Sequence, residues 1–352
     1  MIDGGHRPRK FVLNALRYSG MAALARPLVG GMGAILMLHR VTDAPERPGG
    51  ANRHLTITPG FLDRVIIDMK RLGYEFVTLD GALDRLQSGQ GGRPFATITA
   101  DDGYRDNLTE ALPVLQRHGV PLTIYIAPGL IDGAVDLWWE VLDEIVHAGP
   151  TLTLETAGGE IAIDCSTPLN RARANARLQT YFTTEVREEE QRQVLHELAR
   201  SSEVNPHATR RRMLMTWDEI REAAAHPLVT IGAHTVHHYS LKRLDDASAR
   251  REIVEAAHIL EAQLGKKPMH MAYPYGYPSA VGAREVAFAS AAGYLSAVTT
   301  RHGVLHGGHA AHLQALPRIS LNGRYQRLAY LRTMLSGIST PLANSGKLLV
   351  TV

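Results

Sequence analysis

Two adjacent aspartates, Asp101 and Asp102, follow a run of β-favouring residues in the stretch TITADDG. When neighbouring carboxylates are both ionised they repel each other, so each raises the pKa of the other. One interpretation of the pair is a turn, because aspartate accepts hydrogen bonds from nearby backbone and Gly103 permits a positive φ. The other interpretation is catalytic: a bound cation neutralises one carboxylate and leaves its neighbour ionised as a base.

Histidines form a second cluster, in the stretch IGAHTVHH. His234 and His238 are four residues apart, so a tight turn or one helical turn brings their imidazoles to one side. Two neutral histidines and one carboxylate make a facial metal site with positions open for water and substrate. We expect His237 to point in a different direction from this pair. A surface histidine cluster without a metal is the alternative interpretation.

The elements that must position these residues are short apolar segments that alternate with helical patterns. The helical segments end at glycine, which is the usual helix stop. Such alternation predicts a parallel sheet, and eight strand candidates are enough to close a barrel. We therefore predict an α/β fold, a distorted TIM-like (β/α) barrel. The strand candidates are residues 34–39, 75–79, 96–100, 122–127, 228–233, 269–274, 295–300 and 316–321.

Four of these strand candidates end at polar residues. The aspartate pair follows the third candidate, and the histidine cluster follows the fifth. His39 ends the first candidate, and Tyr275 lies in MAYPYG at the end of the sixth. Barrel enzymes build their sites at the carboxyl ends of the strands. Because four polar strand ends at one rim are less expected by chance than any one of them, we favour the catalytic interpretation of the aspartates.

The composition excludes several classes of protein. Among 352 residues, 45% are hydrophobic and 21% are charged, which is typical of a folded globular protein. The formal net charge of +3 is small and no long run of Lys or Arg occurs, so nucleic-acid binding is not indicated. Cys165 is the single cysteine, which excludes an intrachain disulfide. No stretch of about 18 uncharged apolar residues predicts a transmembrane helix.

We divide the chain into three parts. Residues 1–33 form an N-terminal arm that is predicted to be helical, residues 34–323 form the barrel, and residues 324–352 form a C-terminal tail. Charged helical patterns at about 132–213, without a confident strand pair, predict a mainly helical insertion on the barrel rim. An amphipathic helix from about Phe11 to Leu24 either packs on the barrel, which we favour, or lies against a membrane surface. The expected location is the cytoplasm, with peripheral contact at the inner membrane as an alternative.

The motifs resemble those of the polysaccharide deacetylase family, also called the NodB-homology or carbohydrate esterase family 4 group. TADDG is similar to the first family motif, which implies that Asp101 is the general base and Asp102 a metal ligand. HTVHH is similar to the second motif, which implies that His234 and His238 complete the metal site. AYPYG is similar to the third motif, in which the backbone N–H after the proline, here that of Tyr275, helps to hold the oxyanion.

The resemblance covers roughly residues 34–131 and 214–323, with two departures. The third motif often carries an arginine two residues before the proline to orient the base, and Ala272 occupies that position here. Arg318, on the neighbouring last strand, is our candidate replacement. Many members carry a catalytic histidine on the last strand, where this chain has none. Because the first and last strands of a closed barrel are neighbours, we expect His39 to take that place, as in a subgroup that includes poly-N-acetylglucosamine deacetylases.

The resemblance implies a metal-dependent deacetylase that hydrolyses N-acetyl groups of N-acetylglucosamine residues in an oligo- or polysaccharide and releases acetate. It also implies one divalent cation, with zinc as the first choice and cobalt or manganese as alternatives. In such a site Asp101 takes a proton from the attacking water, and His39, as imidazolium, protonates the departing amine. The alternative functions are a carbohydrate-binding protein that has lost turnover and an O-acetyl esterase of the same fold.

Two further stretches are candidates for contacts with a ligand. Residues 302–312, HGVLHGGHAAH, contain four histidines, but the stretch is glycine-rich and we interpret it as a flexible loop. His302, His306, His309 and His312 are the next candidates for a proton donor if His39 is not one. Trp138 and Trp139 are candidates to stack on sugar rings, although we expect at least one of them to pack against the barrel.

Overall fold

The computed structural model describes residues 6–89, 92–156 and 159–352. Its strands are β1 (Gly33–Leu38), β2 (Arg40–Val41), β3 (Thr56–Ile57), β4 (Glu75–Phe76), β5 (Phe95–Ala100), β6 (Leu122–Ile126), β7 (Thr151–Thr156), β8 (Gly159–Asp164), β9 (Val229–Ala233), β10 (His270–Ala272), β11 (Ser296–His302) and β12 (Leu316–Ser320). Its α-helices are α1 (His6–Tyr18), α2 (Met21–Val29), α3 (Pro59–Arg71), α4 (Leu79–Ser88), α5 (Leu112–His118), α6 (Pro128–Asp132), α7 (Trp138–Ala148), α8 (Pro168–Thr184), α9 (Gln191–Ser201), α10 (Pro206–Met213), α11 (Trp217–Ala225), α12 (Asp246–Leu264), α13 (Ala283–Ala291), α14 (Leu328–Leu335) and α15 (Ser339–Ala343).

Parallel strands close into a barrel in the order β1-β12-β11-β10-β9-β6-β5, and β5 pairs back to β1. Strands β1 and β5 are buried along their whole length. Strands covered on both faces read as continuous apolar runs, which explains why GAILML and FATITA carry no charge. The predicted α/β fold, a (β/α) barrel, is confirmed.

The number of barrel strands differs from the prediction of eight. The second candidate, residues 75–79, forms only β4, which pairs with the amino-terminal end of β5 at Phe95 and Ala96. Strand β6 pairs with β5 further along, from Ile98 to Ala100, so β4 and β6 follow each other along β5. The candidate is short because Thr78 caps α4 by accepting a hydrogen bond from the Gly81 N–H. Seven strands therefore form the closed ring.

Helix α4 closes the amino end of the barrel. Leu79, Leu83 and Leu86 of this helix are buried in one apolar cluster with Ile35 of β1 and Tyr125 of β6. The interior of the barrel is thus filled by side chains at that end, as in other small barrels.

The segment between β6 and β9 carries the predicted insertion, and its helices are α7 to α10. It also contains an antiparallel hairpin of β7 and β8, which the sequence analysis did not predict. The strands TLTLET and GEIAID alternate apolar and polar residues, and Leu152, Leu154 and Ile163 are buried. These residues join Phe182 and Leu195 in an apolar cluster separate from the main one. Because this cluster also includes Tyr104 and Leu130 beside the barrel strands, the insertion packs onto the barrel through it.

The N-terminal arm is helical, although its first five residues lie outside the described part of the chain. The single helix predicted over Phe11–Leu24 is in fact two helices, because the chain breaks at Gly20, which has a φ of 73°. Helix α1 buries Leu13 in the main core and lies beside α14 of the predicted C-terminal tail. Among the described residues, no helix is both long and apolar enough to cross a membrane.

Candidate active site

The aspartate pair lies directly after β5, at the carboxyl end of the barrel. Asp101 and Asp102 are both 2% exposed. Asp102 has a φ of 74° and Gly103 a φ of 73°, so two consecutive residues adopt the left-handed conformation. For an aspartate this conformation is uncommon, and strain of this kind is concentrated at functional sites. The turn sends the two carboxylates to different partners.

Asp101 is held by Arg318 of β12. Arg318 Nη1 donates to Asp101 Oδ1 at 2.7 Å and Nη2 donates to Oδ2 at 2.7 Å. The guanidinium also donates to the Thr299 carbonyl and the Thr99 hydroxyl, and it is almost completely buried. Burial alone raises the pKa of Asp101, but the charge of Arg318 opposes this effect and the pKa is lowered from its ordinary value. Asp101 is therefore kept as a carboxylate in a fixed orientation.

His39 follows β1, which lies between β5 and β12. Its Nε2 is 3.9 Å from Asp101 Oδ2, and its side chain is 18% exposed. Its carbonyl accepts a hydrogen bond from the Asn107 side chain at 2.7 Å, which fixes the backbone at this strand end. His39, Asp101 and Arg318 are thus brought together from three adjacent strands, as the sequence analysis expected.

Asp102 faces the two histidines of the second motif. Its Oδ1 is 3.3 Å from Nε2 of His234 and 3.3 Å from Nε2 of His238. All three ligand atoms lie within 4.8 Å of one another, and all three residues are buried. His234 Nδ1 is 2.7 Å from the Ala272 carbonyl, which can only accept, so Nδ1 carries the proton and Nε2 presents its lone pair.

These three residues fit a divalent cation. Ligands of a tetrahedral zinc ion, with bonds of about 2.1 Å, lie about 3.4 Å apart, close to the separations of 3.3 Å between Asp102 and the histidines. Asp102 Oδ1 is buried and has no hydrogen-bond partner among the described residues. A buried carboxylate oxygen in this state is stabilised by a cation.

His237 points away from this cluster, as expected. Its Nδ1 is 2.6 Å from Glu252 Oε1, and its backbone N–H donates to Oε2 of the same residue at 2.8 Å. Glu252 also accepts from the Val236 N–H, so one carboxylate fixes the loop between His234 and His238. The sequence analysis missed Glu252, because a glutamate in the middle of a charged helix gives no signal of such a contact.

Tyr275 of the third motif lies beside the second histidine, with its ring centroid 5.0 Å from that of His238. It has a φ of 63°, its carbonyl accepts from the Thr300 hydroxyl, and its own hydroxyl accepts from Trp138 Nε1 at 3.0 Å. Within the described part of the chain, its backbone N–H donates to no protein group. That N–H is available to a ligand.

Helix α7 of the insertion forms one wall of the site. Trp138 and Trp139 are 8% and 7% exposed, which supports packing over stacking on a sugar. The Trp139 ring lies 5.0 Å from that of His238, and its Nε1 donates to the Tyr104 hydroxyl at 2.8 Å. The Tyr104 hydroxyl in turn donates to the buried Glu140 at 3.1 Å. The insertion therefore buttresses the histidine cluster, a role that the DLWWE stretch did not reveal.

The histidine-rich stretch at 302–312 lies elsewhere. His309 Nδ1 accepts from the His306 N–H at 2.9 Å, and its Nε2 is 3.1 Å from the Val350 carbonyl. The stretch packs beside α4 and Met32 at the amino end of the barrel, and His302 bonds to the Ser339 hydroxyl. Residues 307–311 form a 3-10 helix. These histidines are not part of the site at the carboxyl end.

Solved structures of deacetylases share this fold. The deacetylase PplD of Streptococcus pyogenes, in complex with acetate, is similar with a TM-score of 0.56 and 18% identity, over 86% of this chain and 97% of that one. IcaB from Ammonifex degensii has a TM-score of 0.53 and 16% identity, over 86% and 97% of the two chains. The de-N-acetylase from Aggregatibacter actinomycetemcomitans has a TM-score of 0.53 and 15% identity, over 86% and 99%. Such low identities show a common fold.

Sequence comparison gives the family. No curated protein matches the sequence. The family model described as polysaccharide deacetylase matches residues 88–294, which is more than half of the chain. The matched range contains the aspartate pair, the ligand-like histidines and Tyr275, whereas His39 and Arg318 lie outside it. With its barrel, its three motifs in order and this match, the chain belongs to the polysaccharide deacetylase family.

Proposed function

We propose that this chain is a metal-dependent N-deacetylase that acts on N-acetylglucosamine residues of an oligo- or polysaccharide. The observation that carries the proposal is the buried Asp101–Arg318 pair beside the cluster of Asp102, His234 and His238. An ionised base next to three convergent metal-ligand atoms is what hydrolysis of an unactivated acyl group requires. The carbohydrate-binding alternative explains neither feature.

Asp102, His234 and His238 would hold one divalent cation, for which zinc is our first choice and cobalt or manganese are alternatives. When bound, the cation supplies the positive charge that polarises the acetyl carbonyl and makes water more acidic. The hydrogen bond from His234 Nδ1 to the Ala272 carbonyl fixes the imidazole in the tautomer that can bind a metal.

Asp101 acts as the general base and takes a proton from the attacking water. Arg318 is a positioning residue: its bidentate contact aligns the carboxylate and keeps it ionised. Its guanidinium therefore does from β12 what the family arginine before the proline does, although Ala272 occupies that place here. Because Arg318 is buried and bonded to the Thr299 carbonyl, it cannot reach the substrate itself.

The remaining steps need a proton donor and an oxyanion donor. The water oxygen bonds to the acetyl carbon, the C–N bond breaks, and the amine nitrogen leaves with a proton from His39, giving acetate and a free amine. The partly exposed imidazole of His39, 3.9 Å from Asp101, supports this role. The free N–H of Tyr275 would donate to the oxyanion as it forms.

The test is acetate release from chito-oligosaccharides by the purified chain with added zinc or cobalt. Asp101→Asn is the matched control, since it keeps the three ligand residues and removes the base. We expect release by the wild type and very little by the variant. O-acetyl xylan assayed in parallel separates an amidase from an esterase. Binding of the glycan without acetate release from either substrate would overturn the proposal.

A further inference from the structure

Helix α2, with the sequence MAALARPLV, lies on the molecular surface although it is mostly apolar. None of its nine residues is buried. Met21, Leu24 and Leu28 are 51%, 79% and 83% exposed. Their spacing of three and four residues places them on one face of the helix. An apolar helical face of this kind in contact with water is unfavourable, so it indicates an interaction surface.

The space beneath α2 is also incompletely filled. An open cleft of about 250 Å³ is lined by Ala22 and Ala23 of α2 together with Leu72 and Leu335. A helix whose main role is to cover the barrel would bury its leucines in such a cleft. Helix α2 instead turns Leu24 and Leu28 outward. The packing that the sequence analysis favoured for this segment therefore accounts for Leu13 of α1 but not for α2.

Helix α1 also exposes large apolar side chains. Phe11 and Tyr18, which are seven residues apart, are 74% and 78% exposed. We call Phe11, Tyr18, Met21, Leu24 and Leu28 the arm patch. Elsewhere in the described chain, exposed large apolar residues are spread over the insertion, the loops and the C-terminal segment. Four of these residues, Leu342, Leu348, Leu349 and Val352, lie close together in the C-terminal segment but are only 36–61% exposed, so the arm is distinguished by the greater exposure of its apolar side chains.

The charge of the arm identifies the partner. Between Asp3 and Asp43 the sequence contains no acidic residue, whereas the helical part of this segment contains the basic residues Arg7, Arg9, Lys10, Arg17 and Arg26. Apolar side chains on helices rich in Lys and Arg are typical of segments that lie in the interface of an anionic bilayer. A second copy of this chain would bring the same positive charge to the contact, which disfavours self-association through the arm.

Helix α2 and the active site lie at opposite ends of the barrel, whereas α1 runs along its side, with Lys10 over the ring of Tyr325 after β12. Residues 30–32 join α2 directly to the amino end of β1, and Met32 there donates to the Leu305 carbonyl. Arg26 lies beside Tyr74, which immediately precedes β4 at the same end. Asp101 and His39 follow the carboxyl ends of their strands, about 20 Å away for six residues at about 3.3 Å each.

We propose that α2 docks the protein on an anionic lipid bilayer with the active site facing away from it, and that α1 beside it contributes basic residues. Burial of Leu24 and Leu28 in the acyl region supplies the apolar part of the affinity, and the basic residues supply attraction to the headgroups. In this orientation the active site faces the aqueous phase and the glycan chains that extend into it. A sugar joined directly to a lipid headgroup in the same bilayer cannot reach the active site.

Binding is tested by co-sedimentation of the full chain with vesicles of phosphatidylcholine and phosphatidylglycerol, and with vesicles of phosphatidylcholine alone. We expect binding to the first, weakening as salt is added. The double variant Leu24→Glu/Leu28→Glu should bind at least about tenfold more weakly. Leu169→Glu, at an exposed leucine of α8, is the matched control and should bind like the wild type.

Three results would overturn the proposal. They are no binding to anionic vesicles, equal binding by the double variant, and a wild-type dimer in light scattering that the double variant converts to a monomer. Deacetylation of a soluble glycan should be equal in wild type and double variant, since α2 touches no residue of the site. Because sedimentation does not depend on turnover, this test is independent of the proposed enzymatic activity.

The orientation is tested by tryptophan fluorescence with brominated lipids, which quench only at short range. Trp138, Trp139 and Trp217 are the chain's three tryptophans, and all lie at the active-site end, where Trp217 Nε1 donates to Asp132, the last residue of α6. We expect binding without quenching for the wild type and clear quenching for Leu24→Trp. Quenching of the wild type would place the active site against the bilayer and overturn the orientation.

Discussion

The two ends of the barrel both carry clustered histidines, but the environments of their ring nitrogens differ. At the carboxyl end, the Nε2 atoms of His234 and His238 face a carboxylate oxygen that has no hydrogen-bond donor among the described residues. At the amino end, both nitrogens of His309 are bonded to main-chain groups. A histidine whose nitrogens are satisfied by backbone holds the fold together, whereas one that faces an unsatisfied carboxylate is ready to bind a cation.

Backbone conformation separates the ends in the same way. Asp102, Thr235, His238 and Tyr275 have positive φ values between 57° and 74°, and all four lie in the motifs at the carboxyl end. Such conformations persist only where surrounding contacts enforce them. In a barrel, residues at the amino end usually maintain the stability of the fold, and residues at the carboxyl end usually perform the chemistry. Substitutions at the carboxyl end should therefore cost activity, and those at the amino end should cost stability.

The largest effect is expected for the two histidines that we propose as metal ligands. His234→Ala and His238→Ala should each abolish metal content and acetate release, because two remaining ligands bind a cation weakly. Metal analysis of the purified variants, together with an acetate assay, measures this. His237→Ala is the control and should retain the metal. Full metal content in either ligand variant would contradict the assignment of that residue.

A smaller effect separates the two aspartates. Asp101→Asn should keep the metal and lower turnover by about 100-fold or more, the scale of a lost general base. Asp102→Asn should lose metal, since it removes the charged ligand. Equal loss of metal in both variants would show that the two carboxylates share one role.

For His39 we expect a selective loss. His39→Ala should lower amide hydrolysis by about 100-fold, because an amine leaves only with a proton. Hydrolysis of an aryl acetate, whose leaving group needs no proton, should fall much less. The ratio of amide to aryl acetate hydrolysis, measured together with the melting temperature, decides whether His39 is the proton donor. His118→Ala, at a histidine on the outer helix α5, should leave the ratio unchanged.

The pH profile tests Arg318. The base works when ionised, and Arg318 opposes the effect of burial, which raises the pKa of Asp101. Arg318→Lys loses the bidentate contact, so the pKa should rise and the acidic limb of the kcat profile should move to higher pH. We expect turnover near neutrality to fall by about tenfold. Arg105→Lys, whose partner is Glu219, should leave the limb in place. If the acidic limb of the kcat profile does not move in Arg318→Lys, the positioning role of Arg318 is excluded.

The smallest effect on activity is expected at the amino end. His309→Ala should leave metal content and turnover unchanged and lower the free energy of unfolding by about 1–3 kcal/mol, because the Val350 carbonyl loses its donor. Chemical denaturation measures this loss. A fall in metal content would mean that the two histidine stretches are not as different as their hydrogen bonds indicate.

The sequence predicted the site better than the elements around it. Asp102 and His238 could be found because polar residues after apolar strands stand out, and because parallel strands bring their ends to one rim. The position of Arg318 near the site could be predicted because the first and last strands of a closed barrel are neighbours. The contact of Trp139 with His238 could not be predicted, since it depends on how the insertion folds back over the rim.

The misjudged elements have identifiable causes. The sequence does contain a signal for the hairpin of β7 and β8. Apolar and polar residues alternate in TLTLET and in GEIAID, on either side of Ala157 and Gly158. Residues 75–79 have the apolar character of a barrel strand. Because Thr78 caps the amino end of α4, only Glu75 and Phe76 form a strand, β4. In the arm, amphipathicity alone does not say whether the apolar face meets protein or another medium.

The position of β1 has a consequence for biosynthesis. Leu38 of β1 pairs with Ala100 of β5, and Leu36 pairs with Ile319 of β12, so the first strand made is held between the last strand and an early one. Asp101 and Arg318 are 217 residues apart in the chain. Because synthesis runs from the N-terminus, a nascent chain has no partner for Asp101 until β12 leaves the ribosome. A chain that ends before β12 therefore lacks the guanidinium that positions Asp101.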